Sequence, residues 1–386
     1  MRSMTIAAIL GFTSLASTAA LAWDAEGHRV IARIAEQNLS PAVRAKITIM
    51  LAADKSTAAA RDFISASTWA DEVQDNRTHP WHFADISAGR PNIPEACFGQ
   101  PPLPAGSPAS KGPEKDCVID KVNQFAAELA DPKTAPEEKI AALKFLLNLH
   151  GDLHQPLRVA DENDDHGMKT KVVTSTTTPG DLFTHWDKAL VTEMDVDDEV
   201  VAKRLIPKIT ANDRAQWSAG NPQLWALEAH QLGVDRAYGM VGNMDAAGNS
   251  ILKPADVDKA VAVISTQLSR AGVRIAYVLN NALGPHPKDV TKSASGPTVG
   301  DAAVGRQLAE GACTVCHVIA PDQTSPRHEV TAPDFRAIAN TNGTTQVSLR
   351  TFLASTHPTM PNIKLSPEQR DDLSAFILSL KKKAAK

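Results

Sequence analysis

Residues 313–317 near the C-terminal end read Cys-Thr-Val-Cys-His. Two thiols at this spacing can bond covalently to both vinyl groups of a haem, and the histidine that follows supplies an imidazole to the iron. A thioredoxin-like redox pair would need a βαβ context, and a zinc site would need a second ligand pair; the sequence indicates neither. The motif therefore predicts a c-type haem held by Cys313, Cys316 and His317.

Met360 is the only methionine after His317, and it precedes the last predicted helix. The stretch from Gly300 to Lys386 resembles the class I c-type cytochromes, in which such a methionine is the second axial ligand and raises the reduction potential. His328 and His357 are competing ligands, and a methionine packed in the core is the plain alternative. With both axial positions filled, the domain would transfer single electrons rather than activate oxygen.

A second set of residues, in the N-terminal part, combines histidines with carboxylates, the donors that zinc and similar metals prefer. They occur in five segments: Trp23 with His28, Trp69-Ala70-Asp71, Trp81-His82-Phe83-Ala84-Asp85, Gly151-Asp152-Leu153-His154-Gln155-Pro156-Leu157, and Trp186-Asp187. If proteolysis follows Ala22, the new α-amine and the carbonyl of Trp23 can chelate one ion beside His28.

The order and context of these segments resemble the trinuclear-zinc single-strand nucleases of the S-one/P-one type, whose site design the zinc-dependent phospholipases C share. The resemblance covers about residues 23–283. It implies that Trp23, His28 and Asp152 hold one zinc. It implies further that Asp71, His82 and the bridging Asp152 hold the neighbouring zinc, and that Asp71 and Asp152 belong to the catalytic centre.

The same resemblance implies a substrate site beside the metals. Phe83 would stack on a nucleobase, and Asp85 would hydrogen-bond the edge of that base. Stacking tolerates any base but requires an unpaired one, which predicts a preference for single strands.

Three ligand positions depart from the family pattern, because Asn148, Arg158 and Phe183 stand where the family has histidines. A Gly-Gly-Asn turn expected near Gly167 is also absent. The third zinc would keep only Asp187, so two zincs are expected and the third is not. Asn148 could still offer a weak neutral oxygen ligand.

Two interpretations of Arg158 stay open at this point. Its guanidinium fork could bind phosphate and replace the missing metal as an anchor, which would give it a catalytic role. Alternatively, an ion pair with Asp187 could simply fill the vacated space. A rotated metal site that uses His150, His154 and His185 is a further alternative, since His150 and His154 share one helix face.

The elements that must position these residues are predicted to be helices. Ser40-Pro41 and Pro136 begin helices, apolar residues recur at helical spacing from Val257 to Leu279, and Ser366-Pro367-Glu368-Gln369 is a capping box. The best strand candidate is the short segment Lys171 to Thr178. We therefore predict an all-α protein: a helical zinc-nuclease/phospholipase C-like domain followed by a small helical cytochrome c domain.

The composition and motifs of the sequence predict four successive segments of the chain. Residues 1–22 combine Arg2, an apolar run and Ala20-Leu21-Ala22, which predicts a signal peptide rather than a retained anchor. Residues 23–283 form the nuclease-like domain, the proline-rich residues 284–300 a linker, and residues 301–386 the cytochrome domain. In an oxidising compartment Cys97 and Cys117 would form a disulfide, with two unrelated buried thiols as the alternative.

The formal net charge of −4 argues against a protein that binds duplexes mainly through phosphate contacts. The leading hypothesis is a periplasmic or secreted metal-dependent phosphodiesterase for single-stranded DNA or RNA, with 3′-nucleotides as further substrates and weakened activity. Its fused haem domain would exchange electrons with redox partner proteins, and no membrane span would remain after processing. The alternative hypothesis is a periplasmic electron carrier with a degenerate nuclease-like domain.

Overall fold

The computed structural model describes residues 23–56, 60–99, 103–104, 106–113, 115–174, 179–284, 300–314, 316–320, 323, 332–341, 344–353 and 365–381. The predicted signal peptide, most of the predicted linker, and the three axial-ligand candidates Met360, His328 and His357 lie outside these residues. Within them the chain is mainly helical, so the prediction of an all-α protein is confirmed.

The N-terminal domain is built from helices joined by short turns. Its helices are α1 (Ala25–Asn38), α2 (Pro41–Ala52), α3 (Trp69–Glu72), α4 (Ile93–Ala96), α5 (Val118–Ala130), α6 (Pro136–Asp152), α7 (Leu182–Thr184), α8 (Leu190–Thr192), α9 (Asp198–Leu205), α10 (Ala211–Trp217), α11 (Pro222–Leu232) and α12 (Pro254–Leu283). Turns of 3-10 helix lie at Ser65–Ser67, His79–His82, Ala109–Lys111, Pro156–Arg158, Ile206–Lys208 and Tyr238–Met240, and π-helical turns at His185–Ala189 and Gly233–Ala237.

Helix starts follow the capping residues that the sequence shows. The Ser40 hydroxyl accepts a hydrogen bond from the Val43 N–H at the start of α2. Helix α6 begins at Pro136 as predicted, but it ends at Asp152 and does not continue to Pro156. Proline disfavours the helical conformation of the residue before it, and Gln155 is accordingly extended.

The core of this domain forms where α1 lies against α12 and α6 runs through the centre. The apolar stripe of α1 buries Val30, Ile31 and Ile34. A Cβ atom on Gly272 of α12 would lie 2.5 Å from the Ile34 Cγ2 atom, so only glycine permits this close approach. Helix α6 is buried from Ala142 to Asp152, so its last turns deliver polar side chains into a dry interior.

A small sheet and a disulfide complete the domain. Strands β1 (Lys171–Val173), β2 (Gly180–Asp181) and β3 (Ser250–Ile251) lie in the order β2-β1-β3, antiparallel in the first pair and parallel in the second. The predicted strand is thus present over residues 171–173. The disulfide between Cys97 and Cys117 is formed, which confirms that prediction. Over the described residues, none of the helices combines the length and apolar character needed to cross a bilayer.

The C-terminal domain has four described helices, α13 (Ala302–Ala312), α14 (Phe335–Asn340), α15 (Gln346–Leu353) and α16 (Pro367–Ser379). The capping box predicted at Ser366 is present, with Gln369 as its partner. The first and last helices cross at very short distance, because a Cβ atom on Gly305 would lie 1.9 Å from the Asp372 carbonyl oxygen. A separate apolar cluster forms around Leu308, Phe335, Leu373, Phe376 and Ile377.

We expect Gly305→Ala to destabilise the C-terminal domain, because the added methyl group must push α13 away from α16. Overpacking of this kind costs about 1–3 kcal/mol. Gly311→Ala is the matched control on the same helix, since a Cβ atom there meets nothing within 4 Å. Thermal unfolding followed by calorimetry distinguishes the two variants, and equal midpoints would contradict the close-crossing argument.

Candidate metal centre and haem site

Two histidines and two aspartates come together in the interior of the N-terminal domain. His28 lies on α1, Asp71 on α3, His82 at the end of a 3-10 turn and Asp152 at the end of α6. All four residues are buried. The sequence segments that were predicted to carry metal ligands therefore converge.

Each carboxylate faces both histidines with separate oxygens. Asp152 places Oδ1 3.6 Å from the His28 Nε2 atom and Oδ2 2.7 Å from the His82 Nδ1 atom. Asp71 places Oδ2 3.6 Å from the His28 Nε2 atom and Oδ1 3.7 Å from the His82 Nδ1 atom. Both carboxylates therefore lie between the two imidazoles, and each could bridge two ions, one beside His28 and one beside His82.

Burial and neighbouring charges act in opposite directions on the two acids. Burial alone would raise the pKa of Asp152, but the Arg158 guanidinium and the histidines lower it. For Asp71, burial outweighs the attraction of His28 and His82, and its pKa is raised. Asp152 is thus the carboxylate that stays ionised most readily.

The donor set fits divalent cations. Three buried oxygens of the cluster have no hydrogen-bond partner among the described residues: Asp71 Oδ1, Asn148 Oδ1 and Asp152 Oδ1. Ligands of one tetrahedral zinc lie roughly 3.3 Å apart, close to the imidazole–carboxylate spacings seen here. Buried donors left without partners are costly, and a bound cation would satisfy them.

The metal-ligand atoms of the histidines and aspartates approach one another in pairs. In the described part of the chain, three donor atoms lie within 4.8 Å of one another only at Cys97, Cys117 and Asp120, where both sulfurs belong to the disulfide. No three of the histidine and aspartate donors close on a single point. The donors Asp71, His82 and Asp152, which the resemblance assigns to one zinc, therefore do not all lie within 4.8 Å of one another, and their side chains would have to close on that ion.

Trp23 joins the cluster from the beginning of the described chain. Its buried indole Nε1 donates to the Gly151 carbonyl oxygen at 2.9 Å, directly before Asp152. The next peptide N–H, that of Asp24, donates to the Asp187 carbonyl oxygen at 3.1 Å. Trp23 thus lies close to two predicted ligand residues, Asp152 and Asp187, and its own role as a metal ligand stays a prediction.

Asn148 precedes Asp152 by one helical turn and contacts the other aspartate. Its Nδ2 donates to the Asp71 Oδ2 atom at 2.6 Å and to the Ser67 carbonyl oxygen at 3.0 Å. The amide therefore orients Asp71, while its own Oδ1 atom has no partner in the described structure. Whether this oxygen ligates a metal stays a prediction.

Arg158 lies next to the cluster with its guanidinium packed on two aromatic rings. The Cζ atom is 4.3 Å from the ring centre of Phe83 and 4.9 Å from that of Phe183. The Nε atom is 3.8 Å from Asp152 Oδ1, and no ion pair joins Arg158 to Asp187. The predicted Arg158–Asp187 pair is thus not the arrangement seen.

Gln155 takes the place expected for that ion pair. Its Nε2 donates to the Asp187 Oδ1 atom at 3.2 Å, and its Oε1 accepts the N–H groups of Leu157 and Arg158. Asp187 itself sits in the π-helical turn His185–Ala189, and burial raises its pKa to about 8. Sequence reasoning missed Gln155, although its position directly before Pro156 marks it as a cap.

The rim of the site contains the two residues predicted to bind a nucleobase. The Phe83 ring is buried and is contacted by Arg158 and, at 4.8 Å between centroids, by His166. His166 Nε2 lies 3.1 Å from Asp85 Oδ1, and its Nδ1 lies 2.8 Å from the Leu157 carbonyl oxygen. Both partners only accept, so each contact needs a proton on the ring nitrogen that makes it. No local pattern in the sequence identifies His166 as a member of this site.

The rotated alternative does not bring its histidines to one point. His150 and His154 stack on each other, and His154 uses Nδ1 on the His150 carbonyl oxygen. The other nitrogen of His154 lies 2.9 Å from an Arg274 nitrogen, which can only donate. His185 directs its Nδ1 atom to the Asp181 carbonyl oxygen at 3.1 Å.

The haem motif follows α13 directly. Cys313 and Cys316 are free thiols, and burial raises the pKa of Cys313 to about 12. The His317 Nδ1 atom lies 2.7 Å from the Pro333 carbonyl oxygen, and its ring packs on Phe335. A proton held at Nδ1 leaves the lone pair of Nε2 free, and this is the atom that an axial histidine presents to iron.

Comparison with known proteins found relatives of both the N-terminal and the C-terminal part of the chain. The S1/P1 Nuclease family model matches residues 23–284. Endonuclease 2 of Arabidopsis thaliana is 25% identical over 68% of this chain and 91% of its own length, and Nuclease P1 of Penicillium citrinum is 26% identical over 68% and 98%. Cytochrome c-552 of Bradyrhizobium diazoefficiens is 35% identical over 24% of this chain and 86% of its own length.

We expect Gln155→Ala to destabilise the N-terminal domain. The change removes the described partner of the buried Asp187 carboxyl and the acceptor of two backbone N–H groups, and unsatisfied buried groups cost about 1–3 kcal/mol each. Gln216→Ala, at an exposed position of α10, is the control and should leave the urea midpoint unchanged. Equal urea midpoints for both variants would show that the hydrogen bonds of Gln155 do not stabilise the domain.

Proposed function

The chain belongs to the S1/P1 nuclease family over residues 23–284 and ends in a cytochrome c domain, and we propose that it is an exported, zinc-dependent phosphodiesterase. Its proposed substrates are single-stranded DNA or RNA, with release of 3′-phosphate from nucleotides as a related reaction. The proposed site of action is the periplasm or the extracellular medium.

One observation supports the hydrolase above all others. Asp152 lies between His28 and His82 and offers a different oxygen to each of them. Such a carboxylate can hold two cations at once, and paired cations are the usual device for in-line displacement at phosphorus. Asp71 has the same relation to both histidines.

The residues divide the work of holding the metals. We propose that Trp23, His28 and Asp152 hold one zinc, and that Asp71, His82 and Asp152 hold the other. Zinc at these positions supplies Lewis acidity, which lowers the pKa of a bound water and neutralises charge on phosphoryl oxygens.

The surrounding residues keep these ligands in place. Asn148 keeps Asp71 in place through its amide, and the Trp23 indole fixes the chain start against Gly151. The α-amine of Trp23 becomes a ligand only after residues 1–22 are removed. Asp187 remains from the third position, which we propose holds no zinc.

Binding of an unpaired base is the proposed role of Phe83 and Asp85. Phe83 lies on the same side of the site as Arg158, and Asp85 has an exposed side chain that contacts His166. The Phe83 ring is contacted by four side chains, those of His79, Arg158, His166 and Phe183. A base can stack on this ring only if one of them turns aside. We therefore propose that substrate entry displaces His166 from Phe83.

The cytochrome domain is proposed to carry one covalent haem and to transfer electrons to partner proteins. Cys313 and Cys316 are free for thioether formation, and His317 is oriented by the Pro333 carbonyl. Met360 stays the proposed second axial ligand.

A second candidate function is a periplasmic electron carrier whose nuclease-like domain no longer hydrolyses. The observation that favours it is the buried guanidinium of Arg158, which lies 3.8 Å from the bridging carboxylate and competes with cations for it. Metal analysis separates the two functions. About two zincs per haem support the hydrolase, and iron alone supports the carrier.

We expect Asp152→Asn to lose both zinc and hydrolysis, because the neutral amide cannot bridge two cations. Zinc content by elemental analysis and cleavage of single-stranded DNA are the measurements. Glu137→Gln is the control, an exposed position in the first turn of the same helix α6. If Asp152→Asn retained the zinc content of the unaltered chain, the assignment of the metal centre would be wrong.

We expect the double change Cys313→Ser and Cys316→Ser to abolish covalent haem, because hydroxyl groups do not form the thioether bonds. Haem staining after denaturing electrophoresis measures this directly. Zinc content should stay unchanged, because the metal donors lie in the other domain. Haem that stays bound through denaturation in this variant would refute the proposed attachment.

A further inference from the structure

The side chain of Arg158 is a fully buried cation whose N–H groups make no hydrogen bond in the described structure. None of its three side-chain nitrogens has a partner among the described residues. A guanidinium carries five N–H donors, and leaving them unpaired in the interior is strongly unfavourable. The one described carboxylate in ion-pair range, Asp152, is 3.8 Å from Nε, too far for a hydrogen bond.

The surroundings hold the guanidinium in this position. The rings of Phe83 and Phe183 pack against it, which stabilises the cation without using its N–H groups. The backbone is fixed because Gln155 accepts the Arg158 N–H. Asp187, the other nearby carboxylate, is bonded to Gln155 instead. Among the described residues, no group accepts a hydrogen bond from the N–H edge of Arg158.

A tetrahedral oxyanion has the matching chemistry. Phosphate oxygens accept two parallel N–H bonds from one guanidinium, and arginine keeps its charge at every relevant pH. The position next to Asp152 places that edge beside the proposed zinc pair. In the family pattern, Arg158 and Phe183 stand where two histidines would bind a third metal.

We propose that Arg158 is a built-in third positive centre, which binds one phosphate group of the substrate through two non-bridging oxygens in place of a third zinc. The inference deepens the proposed function and rests on it for the identity of the substrate. The binding of phosphate itself requires only Arg158 and the neutralisation of Asp152 by its histidines or by metal.

The test is a calorimetric titration of inorganic phosphate into the full haem-containing chain, both zinc-loaded and chelator-treated. Loss of two charge-assisted hydrogen bonds weakens binding by about a hundredfold or more. We expect Arg158→Met to show this loss with unchanged zinc content. Arg158→Lys should bind phosphate with intermediate affinity, because it keeps the charge but not the fork. Phosphate affinity equal to that of the unaltered chain in Arg158→Met would overturn the proposal.

A second variant keeps the proposal testable if Arg158→Met does not fold. The double change Arg158→His and Phe183→His should raise the zinc content by one ion per chain, because it supplies two imidazoles beside Asp187. An unchanged zinc count would show that the guanidinium does not stand in a metal position, and this too would overturn the proposal.

The outcomes also separate this proposal from the proposed function. If the chain hydrolyses no phosphodiester but still loses phosphate binding in Arg158→Met, the anion site stands and the hydrolase fails. If hydrolysis persists and phosphate binding does not depend on Arg158, the hydrolase stands, and Arg158 only fills the space of a lost metal.

Discussion

The charge of Asp152 in a dry interior is the constraint on which the N-terminal domain depends. A carboxylate cannot stay ionised there alone, so the fold surrounds it with His28, His82 and Arg158. Helix α6 ends at this residue, while α1 and the 3-10 turn His79–His82 bring the histidines from elsewhere. The site therefore forms where four separate elements of the fold meet in the interior.

The two domains are joined by few contacts in the described structure. Leu224 of α11 packs into the apolar cluster of the cytochrome domain, and the Gln369 amide donates to the Gly220 carbonyl oxygen at 2.7 Å. Each domain also has an apolar core of its own.

Local signals made much of the structure predictable. Caps at Ser40 and Ser366 and the helical period of α12 each act over a few residues, and the structure shows them where they were expected. The convergence of the ligand segments came from the family resemblance, since no local rule brings His28 to Asp152. The roles of Gln155 and His166 could not be predicted, because they depend on contacts between segments far apart in the chain. For the same reason the sequence left two partners open for Arg158, and only the fold showed Gln155 in contact with Asp187.

The four cysteines place opposite demands on the maturation of one polypeptide. Cys97 and Cys117 are joined in a disulfide, whereas the proposed thioether bonds would require Cys313 and Cys316 to stay reduced until haem attachment. The disulfide pair precedes the second pair in the chain and would therefore be synthesised first. A chain with the two domains exchanged would reverse this order.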